Sequence, residues 1–163
     1  MTDMTLRPVA PADDPALWDM LRPVFRAGDT YAVDPGIARD AALRYWRAGS
    51  HTAFVAEDGT TPLGTYYICP NQQGFGAHVC NCGFVTAAQS AGRGVARAML
   101  NHALDTARAS GYRAMQFNFV VETNARAVAL WTRAGFDTVG RLPGAFHHPA
   151  HGFVDALVMY KTL

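Results

Sequence analysis

Apolar and polar positions fall into short blocks along the chain, each ended by Gly, Pro, Asp or Asn, and the blocks change period from one to the next. Residues 5–9 read as a short first strand. Asp14-Pro15 is a helix opening, a cap followed by a first-turn proline, and predicts a helix to about Arg26 that Pro23 kinks or closes. Ile37, Ala41 and Tyr45 recur at helical spacing and predict a second helix over 37–47. Residues 52–57 and 63–68 are strand-like and joined through Asp58-Gly59, a hairpin-type turn. After a loop at 70–76, residues 77–86 form a central strand; Gly83 inside it marks a bulge or a close approach to the backbone. A third helix is expected over 92–110, stopped by Gly111, then a strand over 113–121 and a fourth helix over 124–134. Residues 136–142 and 153–162 are the last strands, joined by a loop containing His and Pro.

The blocks give the order β-α-α-β-β-β-α-β-α-β-β, without an internal repeat or a linker. A single domain over 1–163 is expected, long enough to bury a core. Half the residues are hydrophobic and 17% are charged, a globular balance. The net charge of +1 supplies no basic field for a nucleic-acid backbone, so no nucleic-acid partner is expected. The amino terminus has neither a basic start nor an apolar run, and no window approaches a membrane span. Cys69, Cys80 and Cys82 have no zinc spacing and no even pairing. These features predict a reduced, cytoplasmic protein without a membrane partner.

Two segments carry the candidate chemistry. The first, Ala91-Gly92-Arg93-Gly94-Val95-Ala96-Arg97-Ala98-Met99-Leu100, turns from the central strand into a helix. A glycine-rich turn at a helix start lets backbone N–H groups close on an anion, as a pyrophosphate requires. The second, Asn124 to Phe136, opens with an asparagine and ends in Gly135-Phe136. In this order and at this distance the pair resembles the GNAT superfamily of N-acetyltransferases. Its acyl-CoA loop reads Gln/Arg-x-x-Gly-x-Gly/Ala, and its later helix reads Asn-x-x-Ala-x-x-Leu-Tyr-x-x-x-Gly-Phe.

The resemblance implies an α/β fold with a mixed, mostly antiparallel sheet, one splayed strand pair and helices on both faces. It implies an acetyl-CoA cosubstrate, a small-molecule amine as acceptor and direct attack in a ternary complex, without a metal. Small members commonly pair through their sheet edges, which implies a homodimer. The backbone of Phe84, Val85 and Thr86 is expected along the pantetheine arm, the turn from Gly92 through Arg93, Gly94, Val95 and Ala96 to Arg97 on the pyrophosphate, and Asn124 on the pantetheine amide or capping its own helix. Ala91 stands where the family carries Gln or Arg; Arg93, Arg97 or Gln89 replaces that contact, and a register from Gln89 also fits Gly92 and Gly94.

The family's usual proton-transfer groups are absent. Trp131 stands at the tyrosine acid, where it borders the cofactor, and Phe119 stands at the glutamate base five residues before Asn124. In their place are Asn118 and Asn81, asparagines inside apolar runs whose amides need partners. Either they bond neighbouring backbone, or they serve the reaction. The latter is similar to the fungal proline-analogue (L-azetidine-2-carboxylate) N-acetyltransferases, which carry asparagines at corresponding places. That branch implies Asn81 and Asn118 as catalytic residues that orient the acceptor and stabilise the oxyanion. An amide is no base near neutral pH, so the base stays open. Phe119, Tyr31 and Tyr45 are expected to border the substrate; Tyr31, Tyr45 and Trp46 otherwise fill core. His78 is either a base or a strand end. His147, His148 and His151 are read as a solvated loop. Cys80 and Cys82 share one face of their strand and are expected to be buried.

Overall fold

The computed structural model describes residues 4–163. In chain order it forms β1 (Met4–Pro8), α1 (Asp14–Ala27), α2 (Arg39–Arg47), β2 (Thr52–Asp58), β3 (Thr61–Pro70), β4 (Val79–Thr86), α3 (Val95–Ala109), β5 (Ala114–Val121), α4 (Ala125–Arg133), β6 (Asp137–His148) and β7 (Gly152–Thr162). The strands make one seven-stranded sheet in the order β1-β2-β3-β4-β5-β7-β6. Every pair is antiparallel except β4 and β5, which are parallel and touch only at Val79–Ala114 and Cys80–Met115. Beyond those residues the two strands part. This is the expected mixed sheet with one splayed pair.

Each face of the sheet is covered by two helices, and alternation along the strands divides the core accordingly. Met99, Leu100, Ala103 and Leu104 of α3 pack with Trp131 of α4 against Tyr66, Cys80, Cys82, Met115 and Phe117. On the other face Leu17, Leu21 and Phe25 of α1 and Leu43 and Trp46 of α2 pack against Val55, Tyr67, Cys69 and Val85. The buried indole of Trp46 donates to Thr65 Oγ1 at 3.0 Å, and Thr65 donates onward to Phe54 O at 2.7 Å, so these interior polar groups are paired.

Several boundaries differ from the sequence expectation. α1 runs through Pro23 and stops at Gly28, whose φ of 64° ends the helix. α2 begins at Arg39 instead of 37 because Asp34 turns the preceding chain, accepting from Gly36 N through its side chain and from Ile37 N through its carbonyl. α3 begins at Val95 instead of 92: Gly92 and Gly94 have φ of 78° and 77°, the left-handed region, which no right-handed helix accommodates. The loop assigned to His147 and His148 is also corrected. β6 continues to His148 after a register shift between Leu142 and Phe146 around Pro143-Gly144, which leaves only a short turn before β7. Gly83 makes no bulge. A Cβ there would lie 2.5 Å from the Tyr67 ring and 3.1 Å from the Tyr31 hydroxyl, so glycine admits these aromatics against β4.

Candidate active site in the split of the sheet

Where β4 and β5 part, they open a cleft of about 420 Å³. The direction of each backbone group in β4 follows from its register with β3. Ala87 N donates to Leu63 O and Asn71 N donates to Val79 O, so odd-numbered residues of β4 form the hydrogen-bonded pairs with β3. The N–H and C=O of Phe84 and Thr86 therefore turn into the split, and those of Val85 are spent on β3. Of the expected triplet, Phe84 and Thr86 offer edge groups to an extended ligand, and Val85 contributes only side-chain packing.

A narrower groove continues from the cleft, lined by Phe84, Thr86, Ala96, Arg126, Ala127, Leu130 and Trp131. It reaches Ala96 on the first turn of α3, two residues after the Gly92–Gly94 turn. Nothing lies within 4 Å of the positions a Cβ would take at Gly92 or Gly94, which leaves the turn open to a ligand. The first bond of α3 runs from Ala98 N to Gly94 O, so the N–H groups of Val95, Ala96 and Arg97 have no partner within the helix. Free N–H groups and the positive end of a helix dipole suit a pyrophosphate. The residues present thus fit the cofactor that the sequence implies. Val95 itself is buried, so only its backbone is available. Arg93 forms an ion pair with Asp58 at 3.0 Å, and Arg97 lies exposed on the first turn. Asn124 caps α4, its Oδ1 accepting from Ala127 N at 3.4 Å, and also lines the cleft. Arg126 was not anticipated, although it sits two residues past the motif asparagine.

One side of the cleft is built on the sheet face that carries α1 and α2. Tyr31, Tyr45 and Tyr67 close this side, with Val24, Thr30 and Ala32 beside them. Tyr31 is anchored by donating to Phe84 O at 2.9 Å and by edge contacts with Phe25 and Trp46. Burial pushes the Tyr31 and Tyr67 hydroxyls far above the usual phenol range, and Tyr45 upward in the same direction. Thr30 Oγ1 is buried without a hydrogen-bond partner. Trp46 fills the core, whereas Tyr31 and Tyr45 border the cleft.

Asn81 and Asn118 both line this cleft, as does Phe119. Asn81 Nδ2 donates to Gln116 O at 3.0 Å, leaving its Oδ1 free to accept. Asn118 is held differently: its Oδ1 accepts from Gln116 Nε2 at 2.9 Å, and its Nδ2 donates to Asn71 Oδ1 at 2.6 Å. Asn118 and Phe119 lie where the β5–β7 register shifts between Phe117 and Val120, a bulge that re-aims side chains toward the split. The partners Asn71 and Gln116 and the cleft-lining Tyr67 were missed; the Tyr66-Tyr67 doublet in a strand was the one legible sign, since alternation sends the two rings to opposite faces. Trp131 is buried against Phe84 and Phe117, with ring centroids 5.2 and 4.8 Å away, and borders both cleft and groove.

Among the described residues, no Asp, Glu, His, Lys or Arg lines the cleft. His78 stands at the exposed end of β4, outside that lining. His147 stacks on Phe153 and His148 lies beside His151; none of the three lines the cleft. Among the described residues no cluster of three or more His, Cys, Asp or Glu side chains is placed to hold a metal. Nor is any helix among them long and apolar enough to cross a membrane. Cys80 and Cys82 are buried on one face, as expected, and burial pushes the Cys82 thiol well up, away from nucleophilic use.

Comparison with known proteins agrees with this geometry. The profile described as Acetyltransferase (GNAT) family matches residues 15–136. A curated relative, N-acetyltransferase aca1 of Schizosaccharomyces pombe, is 35% identical over 100 residues; the match covers 61% of this chain and about half (48%) of that protein. A solved GCN5-related N-acetyltransferase from Kribbella flavida is 43% identical, with a TM-score of 0.93 over 98% of both chains. A phosphinothricin acetyltransferase from Sinorhizobium meliloti, solved in complex with AcCoA, has the same fold at 21% identity, with a TM-score of 0.85 over 100% of this chain and 89% of that one.

Proposed function

The chain belongs to the acetyltransferase (GNAT) family, and from that premise we propose that it transfers the acetyl group of acetyl-CoA to the amine of a small molecule, by direct attack in a ternary complex. Membership makes it an acyltransferase. The observation that carries the finer reading is the cleft of about 420 Å³ at the split, with no charged side chain among the described residues that line it, joined to a groove that reaches Ala96 on the first turn of α3, next to the open Gly92–Gly94 turn. Its size is that of a small-ligand site. The fission-yeast relative, and the asparagines at 81 and 118, support a place near the fungal-type branch and an amino acid or imino-acid analogue as acceptor. A homodimer through the long exposed edge strand β6 belongs to the same reading.

The bound thioester supplies an electrophilic carbonyl; the chain does the rest. Phe84 and Thr86 hold an extended arm by their backbone edge, and Asn124 lies within reach of the same arm. The turn from Gly92 to Arg97 holds the pyrophosphate by backbone N–H groups. Asn81 Oδ1 accepts a hydrogen from the attacking amine, orienting its lone pair. Asn118 keeps one Nδ2 hydrogen beyond its bond to Asn71, and donates it to the oxygen on which negative charge develops. With no ionised side chain among the described residues that line the cleft, the amine would enter neutral; as its nitrogen bonds to the thioester carbonyl carbon and its proton passes to water, the C–S bond would break and the thiolate of CoA would leave, to take a proton from solvent.

The test is thiol release from acetyl-CoA across a panel of amino acids, cyclic imino acids, polyamines and short peptides. Turnover with small amines alone is expected. Turnover confined to peptides would overturn the acceptor class, and none at all would overturn the transfer reading.

A further inference from the structure

We propose that Asn71, on the connection between β3 and β4, is a positioning residue that sets which end of the Asn118 amide faces the reaction; this rests on the acetyl-transfer reading above. Asn118 is exposed, and it lies in a bulge where the ladder with β7 is interrupted. Neither packing nor regular pairing therefore fixes its amide. What fixes it is one contact at each end, of opposite polarity. Gln116 Nε2 donates to Oδ1 at 2.9 Å, and Asn71 Oδ1 accepts from Nδ2 at 2.6 Å. Turning the Asn118 amide over would set two NH₂ groups against each other at one end and two carbonyl oxygens at the other.

Asn71 is itself well placed for this. It is half-buried, and its backbone N–H donates to Val79 O at 2.8 Å, one step before β4 and β5 begin to part. The chain Asn71–Asn118–Gln116 thus ties the β3–β4 connection to β5 across the mouth of the split, and Gln116 O is in turn held by Asn81 Nδ2. The consequence is chemical. With one bond already made at Oδ1 and one Nδ2 hydrogen spent on Asn71, Asn118 is held with its second Nδ2 hydrogen available to donate. Asn81, with one Nδ2 hydrogen given to Gln116 O and no bond at Oδ1, is placed to accept.

Removing the acceptor at 71 lets the Asn118 amide rotate, and small misplacements of a reacting contact cost turnover steeply. In Asn71→Ala, kcat is expected to fall about tenfold, with acetyl-CoA affinity unchanged. Asn71→Asp keeps an acceptor oxygen at the same place and is expected to recover most of that loss. In an Asn118→Ala background the Asn71→Ala change should cost nothing further, because the group it positions is gone. A readout independent of turnover is the Asn118 side-chain amide resonance, assigned by its disappearance in Asn118→Ala. It should move and exchange faster with solvent in Asn71→Ala. An unmoved resonance, wild-type kcat in Asn71→Ala, or an undiminished further loss in the Asn118→Ala background would each overturn the proposal. A moved resonance in a protein that turns over no acceptor would instead overturn the acetyl-transfer reading, and with it the catalytic consequence drawn for Asn71.

Discussion

Asn81 Nδ2 donates to Gln116 O at 3.0 Å, one residue past the last paired positions of β4 and β5, Cys80 and Met115. A side chain thus continues the join between the strands for one step after their backbones have separated. The same bond faces the Asn81 carbonyl oxygen away from β5, free to accept from an amine. Asn81→Ala is expected to lower kcat/KM for the acceptor by about tenfold, the order of one hydrogen bond, with acetyl-CoA affinity nearly unchanged. Steady-state kinetics alongside thermal melting check this. A lowered melting point with normal kcat/KM would reduce Asn81 to a strand fastener.

The pH dependence should belong to the substrate. Among the described residues no carboxylate or imidazole lines the cleft, and burial holds the Tyr31 and Tyr67 hydroxyls protonated throughout the neutral range. Only the neutral amine attacks, so kcat/KM should rise tenfold per pH unit below the pKa of the amine and level off above it. Exchanging one acceptor for another of different basicity should shift the inflection by the difference between their pKa values. A common inflection for every amine, whatever its basicity, would instead reveal a titrating enzyme group.

The element order and the two glycine motifs were legible in the sequence because each is local. Hydrophobic period marked the strands and helices, and Gly92, Gly94 and Asn124 marked the ends of α3 and α4. The start of α3 was misplaced because periodicity does not reveal backbone handedness; two glycines in left-handed φ stop a helix that their neighbours would support. β6 was cut short because Pro143-Gly144 reads as a loop, whereas pairing with β7 resumes at Phe146. At the site, Asn81 and Asn118 stood out as polar residues in apolar runs. Asn71 did not, since an asparagine after Pro70 is ordinary turn chemistry. Its part depends on a contact with Asn118 across 47 positions of sequence. The neutrality of the cleft was also invisible, being a property of side chains gathered from α1 through α4.

Gly94→Glu should abolish acetyl-CoA binding. The position has a φ of 77° with open space around it, and a carboxylate there would intrude on the pyrophosphate path and repel it. Because a left-handed φ also strains any side chain, Gly94→Asn is the control: asparagine tolerates that region and adds no charge. Calorimetry should find no acetyl-CoA binding for the glutamate variant and weakened binding for the asparagine one. Unchanged affinity in a folded Gly94→Glu protein would remove this turn from the cofactor site.

Trp131 occupies the place where the family's acid is a tyrosine, and its ring is 8% exposed, packed on Phe84 and Phe117 between cleft and groove. Its indole carries no proton that could be given up near neutral pH. A leaving thiolate is a far weaker base than an alkoxide or amide ion and needs little help to depart. The ring therefore acts as a wall, and Trp131→Phe should keep kcat within about tenfold of wild type while lowering the melting point through lost contacts. Trp131→Ala is expected to do more harm, because deleting a buried indole typically costs about 3–5 kcal/mol and would open the groove to water. General-acid catalysis contributes about 10²–10⁴-fold, so a loss of that size in a folded Trp131→Phe protein would give the indole N–H a chemical role. The deciding comparison is kcat for the Phe variant with acetyl-CoA saturating, measured on protein whose melting curve shows it fully folded at the assay temperature.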